Sequence, residues 1–456
     1  ASFADIDNDG DPDLYATYVR AGNVLYENLG GGRFRDISAA SGLDCRAHSS
    51  GAVFFDFDRD GRLDLFLTNV GRYTRDELAR LETPEGPRSY HLGFDDAFAG
   101  HLKPDRQERS LLFRNEGGHR FTDVSDAAGL TDFRWTGDAS PCDFNQDGWP
   151  DLYVLNMQGH DGYYENVEGR TFVDRSRERF PKTPWGAMGI KVFDWNNDGQ
   201  MDLYLTDMHS DMSENVDPDE EHLKSTMQWS ESFLRSGGHS IFGNAFFQAD
   251  GAGGFDEVSD AVGAENYWPW GISVGDLNAD GFDDVFVACS MNYPFRYSAN
   301  RLLLNQRGER FIDAAFPLGL EPRRAGRYAR PWFELDCAGA DRDHRDCEGR
   351  TGPVTVWGSL GSRSSVLFDL DLDGDLDLVS NEFNDAPMVL ISDLSDRKPG
   401  LRFLRIRLIG TASNRDGLGA VIRVVIGDRR LTRVVDGVSG YLSHSLVPLY
   451  VGLGEA

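Results

Sequence analysis

No apolar run in these 456 residues approaches the ~20 that a membrane-spanning helix needs. Cysteine is scarce. There are five, with no CxxC pair, which excludes a disulfide scaffold and a thiolate metal site. Cys337 and Cys347 share one loop-like stretch and could pair. Cys45, Cys142 and Cys289 fall at repeat positions that suit a small buried hydrophobe. Positive charge is also short: 46 Lys and Arg against 75 Asp and Glu give a formal charge of −29, with no segregated basic patch. Such a chain repels nucleic acid and anionic membrane. HExxH, the P-loop and the dinucleotide fingerprint are all missing. Gly271-Ile-Ser273-Val-Gly275 matches a nucleophile elbow, but it occupies an expected strand rather than a strand-to-helix turn. There is no initiator Met or leader, and residue 1 already lies inside a repeat, so the chain is expected to be processed or cropped.

What is plentiful is glycine (51), aromatics (12%) and aspartate, a mixture suited to turn-rich β structure. The aspartates are periodic. Residues 5–14 read Asp-Ile-Asp-Asn-Asp-Gly-Asp-Pro-Asp-Leu, and the phrase returns at Asp56–Asp64, Asp143–Asp151, Asp194–Asp202, Asp276–Asp284 and Asp369–Asp377. A second phrase, an Asn-Gly turn leading to Phe, runs over Asn28–Phe34, Asn115–Phe121, Asn166–Phe172, Ala249–Phe255 and Asn305–Phe311. Asp5 to Asp56 and Asp143 to Asp194 are both 51 residues. Within each unit, short runs such as Val53-Phe54-Phe55 and Leu65-Phe66-Leu67 flank the turns. Four such runs predict a four-stranded antiparallel sheet, A to D, whose faces are buried only by stacking radially on its neighbours. The expected fold is all-β, a β-propeller with a C-terminal β-rich segment.

Each acidic phrase fits Asp-x-(Asp/Asn)-x-Asp-Gly-x-x-Asp. Side chains at positions one, three, five and nine converge, and position seven offers a carbonyl. That hard-oxygen shell suits Ca²⁺. Zinc would want His or Cys. The side-chain ligands expected are Asp5, Asp7, Asp9 and Asp13; Asp56, Asp58, Asp60 and Asp64; Asp143, Asn145, Asp147 and Asp151; Asp194, Asn196, Asp198 and Asp202; Asp276, Asn278, Asp280 and Asp284; and Asp369, Asp371, Asp373 and Asp377. The carbonyls belong to Asp11, Arg62, Trp149, Gln200, Phe282 and Asp375. An EF-hand is excluded because its position-twelve Glu is replaced by Ala16 and Leu67. About six Ca²⁺ are expected, one per loop, acting as staples for carboxylates that would otherwise repel.

The units resemble FG-GAP (VCBS-type) repeats. The tail, with Gly410-Thr-Ala-Ser-Asn414, Gly437-Val-Ser-Gly-Tyr441 and Val451-Gly-Leu-Gly454, resembles an ASPIC/UnbV segment. Together they resemble the cartilage acidic protein family and its bacterial relatives. The resemblance implies seven blades, calcium binding and a secreted or extracytoplasmic address. Only six acidic loops are visible, so a seventh blade would be degenerate or built from the chain ends and tail. Residues 1–400 are assigned to the propeller and 401–456 to the tail, with Leu401–Ile409 a candidate strand D for the last blade.

Strands alternate in direction, so the acidic A–B loops and the Asn-Gly turns share one face. The extra residues, at about 70–108, 208–243 and 318–355, fall on the other. Long loops on a rigid rim are where binding or catalysis gathers. The candidates on that face are His48, Asn69, Trp135, Asn156, Asp207, His209, Trp268 and Glu382. For each, packing or turn formation is the competing role. Glu220–Leu234 is a candidate lid helix. The reading is a calcium-stabilised extracytoplasmic propeller that binds a protein or glycan through this face. The alternative is an enzyme, biosynthetic in the bacterial relatives' manner, with a pocket at the central funnel.

Overall fold

The computed structural model describes residues 1–83, 86–131, 134–208, 239–241, 243–290, 297–323, 326–383 and 385–454. His209 and the candidate lid Glu220–Leu234 lie outside them. The 51-residue unit becomes a blade. Blade one pairs Ser2–Ala4, Asp13–Ala16, Val24–Asn28 and Phe34–Asp36 in that order. The innermost strands of blades two to six are Arg46–Phe55, Trp135–Cys142, Ala187–Phe193, Pro269–Gly275 and Gly361–Phe368. Each pairs with the strand that follows its acidic loop.

Period-two alternation builds the core. Ala52 and Phe54 join Tyr15 and Leu25 of blade one, whereas Val53 and Phe55 join Leu152 and Val154 of blade three. Both faces of each sheet are therefore covered, and each Val, Leu or Phe so buried contributes about 1.5–3 kcal/mol. Side-chain amides lock the blades in sequence. Asn115 Nδ2 donates to Ile6 O at 2.9 Å, Asn166 to Phe57 O at 3.0 Å and Asn305 to Trp195 O at 2.8 Å. Each of these asparagines opens an Asn-Gly turn and holds the acidic loop of the blade before it.

The propeller has six blades, and this corrects the expectation of seven. Among the described residues, apolar clusters join each blade to the next from one to six, and none joins six directly to one. The tail stands at that joint. Leu418 and Leu446 pack with Ala4, Ile6 and Tyr15, while Tyr450 and Phe403 pack with Ala279 and Leu376. Phe403–Ile406 pairs with Leu449–Gly452 rather than serving as strand D of blade six, whose sheet is three-stranded. Val421–Ile426 and Arg429–Val434 form a hairpin within the tail.

Between this hairpin and Leu449–Gly452, residues 436–444 run down the central channel. Gly440 and Ile272 exchange backbone hydrogen bonds of 2.9 and 3.2 Å. Lys191 Nζ lies 2.7 Å from Asp436, His444 Nε2 lies 3.3 Å from Asp138, and Tyr441 N donates to Ser364 Oγ at 3.0 Å. His444 also bridges Ser2. One short segment thus touches the innermost strands of blades one, three, four, five and six. The first insertion forms the hairpin Thr74–Thr83 with Gly86–Gly93, then the short turns Ala97–Leu102 and Pro104–Arg106. The third forms a hairpin of Ala329–Asp336 with Pro353–Ser359, closed by a Cys337–Cys347 disulfide.

Candidate functional sites

All six acidic loops share one backbone path. Position four is left-handed although never glycine: Asn8, Arg59, Gln146, Asn197, Ala279 and Leu372 have φ between 56° and 66°. Position six is always glycine, with φ from 88° at Gly61 to 100° at Gly10 and Gly374, a conformation that side-chain-bearing residues rarely adopt. These two reversals curl the chain around its carboxylates. In loops one to five the first Asp accepts from the N–H groups of positions five and six: Asp9 N and Gly10 N lie 3.0 and 2.7 Å from Asp5. The ninth joins the loop to its Asn-Gly turn. Asp64 accepts from Phe57 N at 3.2 Å and from Asn115 N at 2.8 Å.

These loops fit a cation. Carboxylate oxygens of Asp5, Asp7 and Asp13 lie within 4.8 Å of one another, as do those of Asp56, Asp58 and Asp64, and of Asp369, Asp371 and Asp377. In loops three to five the third position is an amide, Asn145, Asn196 or Asn278. Burial pushes the carboxyls upward: Asp5, Asp56 and Asp194 to about 6, Asp13 and Asp151 to about 7, Asp64 and Asp202 to about 8. Neighbouring carboxylates add to the rise. In loop six, Asp369 Oδ1 and Asp375 Oδ1 are buried with no hydrogen-bond partner. A divalent cation relieves both the repulsion and the missing contacts. Position-seven N–H groups point at position five, as in Asp11 N to Asp9 at 2.8 Å and Trp149 N to Asp147 at 2.9 Å.

The tail is stitched to this face. Gly452 N donates to Asp276 Oδ2 at 2.9 Å and Asp5 N donates to Asp416 at 2.9 Å. Arg433 and Asp283, both almost fully buried, pair at 3.1 Å. Nothing in the periodic phrases signals these contacts. The charges Lys191, Arg433, Asp436 and Asp138 sit in otherwise apolar or tail stretches, and that is the only sequence trace they leave.

On the opposite face, most expected candidates are committed to structure. His48 is held by Glu108 at 3.2 Å and Thr74 at 2.8 Å. Asn69 donates to Arg109 O at 2.7 Å. Asp207 is fully buried and accepts from Trp185 N and Gly243 N at 3.1 Å each. Glu382 accepts from Ser362 Oγ at 2.8 Å and pairs with Arg323 at 2.5 Å. Trp268 has φ 48°, and its carbonyl accepts from Ser290 N at 3.1 Å.

Trp135 instead lines a cavity of about 350 Å³ on this face, together with His101, Gln107, Arg134, Gln158, His160 and Arg177 among others. The His160 loop is set by Asn156 N, which donates to Asp161 at 2.7 Å. The first insertion supplies one wall: His101 packs edge-on against Trp135 and Trp185, with ring centroids 6.0 and 5.5 Å away. Gly100 permits it, since a Cβ there would lie 2.2 Å from the Trp135 ring. Burial, then Arg177, His239 and Arg134, push the His160 imidazole down to about 4. A second cavity, about 320 Å³, lies between the tail and the inner strands.

The closed ring with an acidic loop at every blade defines the class, a β-propeller with candidate metal loops. Comparison with known proteins is consistent with that. The FG-GAP-like repeat profile matches residues 5–67, 93–154 and 143–205, and the ASPIC and UnbV profile matches 410–456. The chain thus carries FG-GAP-like repeats and, near its C-terminus, an ASPIC/UnbV domain. No curated protein matches it. Among solved structures, Trypanosoma rangeli sialidase in complex with sialic acid is similar at 9% identity and a TM-score of 0.36, over 94% of this chain and 62% of that one. A second Trypanosoma rangeli sialidase structure gives 9%, 0.33, 92% and 62%. This chain therefore spans less than two thirds of the length of either. No helix among the described residues is long and apolar enough to cross a membrane.

Proposed function

We propose that this protein is a calcium-stapled, extracytoplasmic propeller that binds a protein or glycan through the face opposite its acidic loops. The observation that carries the calcium reading is the buried carboxylate set, repeated in one geometry around the ring. Six ions, one per loop, would balance it. Sites at the weak end of the calcium range, ~10⁻⁴–10⁻³ M, fill outside the cell and stay empty in the cytosol. Binding through the opposite face is supported by the insertions gathered there and by the cavity beside His101 and His160.

The enzyme alternative placed its pocket at the central funnel. The tail occupies that channel, and the insertion-face cavity is lined by none of His48, Asp207 and Glu382. Binding is therefore the better-supported reading.

Native mass spectrometry in millimolar calcium tests the metal, with about six ions expected. A chain that takes up none would sink it. For the face, bulky polyethylene glycol attached at Arg350→Cys, on the third insertion, should block capture on an array of neutral and acidic glycans. The same polymer at Arg423→Cys, on the tail hairpin, should not. Equal blocking from both positions would overturn the assignment of the face.

A further inference from the structure

We propose that the cavity beside Trp135 is an oxyanion site, taking a carboxylate or sulfate carried on a body about the size of a monosaccharide. This rests on the insertion-face reading and names the ligand class for it.

The argument is one of sign. The chain carries −29 overall, yet this cavity is lined by two arginines and two histidines against two carboxylates. Arg134 and Arg177 come from opposite ends of blade three, one before its first strand and one after its last, and both line the space. His101 and His160 face them from the first insertion and from the B–C turn. Two carboxylates are present. Asp161 is buried, and its oxygens turn inward to Asn156 N at 2.7 Å and the Tyr153 hydroxyl at 3.0 Å. Asp174 accepts from Ser176 N at 2.9 Å and lies 3.4 Å from Arg134. A half-exposed pair at that distance is weak and readily exchanged for a ligand oxyanion. Arg134 is anchored by donating to Asp161 O at 3.0 Å, so its fork is fixed before a ligand arrives. Gln107 and Gln158 supply amides for hydroxyl groups. Gln158 is itself held by Trp185 Nε1 at 2.9 Å. The volume, about 350 Å³, is at the small end of ligand pockets.

Calorimetric titration of the calcium-loaded full chain tests this with glucuronate, glucose 6-sulfate and glucose. At least one charged sugar should bind at least tenfold more tightly than glucose, and the two charged arms separate carboxylate from sulfate. Arg177→Ala, an exposed rim position, should weaken that binding at least tenfold. Arg134→Ala should weaken it further. Equal binding of glucose would overturn the proposal, as would charged-sugar binding unchanged by Arg177→Ala or no detectable binding of any sugar. If polymer at position 350 blocks glycan capture while the acidic sugars fail to bind, only the ligand class falls. If the sugars bind but Arg177→Ala leaves their binding unchanged and that polymer has no effect, the ligand enters elsewhere and the wider face assignment falls as well.

Discussion

The two faces of the ring are built on opposite plans. On the acidic face, six loops repeat one path down to the left-handed residue at position four. On the other, no two blades carry the same insertion among the described residues, and the polar residues at strand ends satisfy different neighbours: a carbonyl for Asn69, amides for Asp207, a guanidinium for Glu382. Repetition marks the face whose task is common to every blade, which is holding turns together. Irregularity marks the face free to vary, and a selective site can arise only there. The tail belongs to the first plan by position and to the second by sequence: it lies on the regular face without sharing its period.

The largest effect that would break this contrast is metal removal. If the loops are staples, a chelator should lower Tm by several °C, since each of six sites held at about one to ten times its Kd by millimolar calcium contributes about 0.4–1.4 kcal/mol. An unchanged melting curve would erase the distinction between the faces. Next comes the tail. Lys191→Ala leaves Asp436 buried without its cation and should cost about 3–5 kcal/mol in denaturant unfolding. A loss below ~1 kcal/mol would mean that the tail lies in the channel without bracing it.

The third expectation concerns pH. In the metal-free protein, carboxyls such as Asp13, Asp64 and Asp202 are raised to about 7 or 8, so the folded state binds more protons than the unfolded one above pH ~4. Stability should therefore fall as pH rises from ~4 to ~8, and calcium should abolish or reverse that slope. Melting curves across this range, with and without chelator, decide it. Smaller again is Gly148→Ala, at φ 94°, which should cost at least ~1 kcal/mol in thermal melts. Smallest is Arg177→Ala, which should stay within about 0.5 kcal/mol of the parent in the same assay, because a rim residue on the variable face supports no common structure.

The regular face was legible because its spacing encodes it. The Asp positions, the Gly and the alternation in Val53-Phe54-Phe55 each appear in the sequence with the geometry they adopt. The positive φ at position four was hidden because Asn8, Arg59 and Leu372 share no side-chain type. The tail's course was hidden for another reason. Asp436 meets Lys191, and His444 meets Asp138, across hundreds of residues, and a buried ion pair has no local period. At the opposite face, Asn69, Asp207 and Glu382 stood out as polar strand ends, and that same polarity is what closes their own turns. Arg134, Arg177, His101 and His160 did not stand out, because they lie at four unrelated places in the repeat, and His101 joins the other three only when the first insertion folds back over blade three.

The asparagine clamps have a temporal consequence. Asn115 reaches back 109 residues to Ile6, Asn166 reaches 109 to Phe57, and Asn305 reaches 110 to Trp195. A chain emerging from the ribosome would finish each of these three loops only after the next unit had left the exit tunnel. Nascent assembly of this ring would then proceed in one direction, every unit waiting on its successor, with closure delayed until the last residues appear.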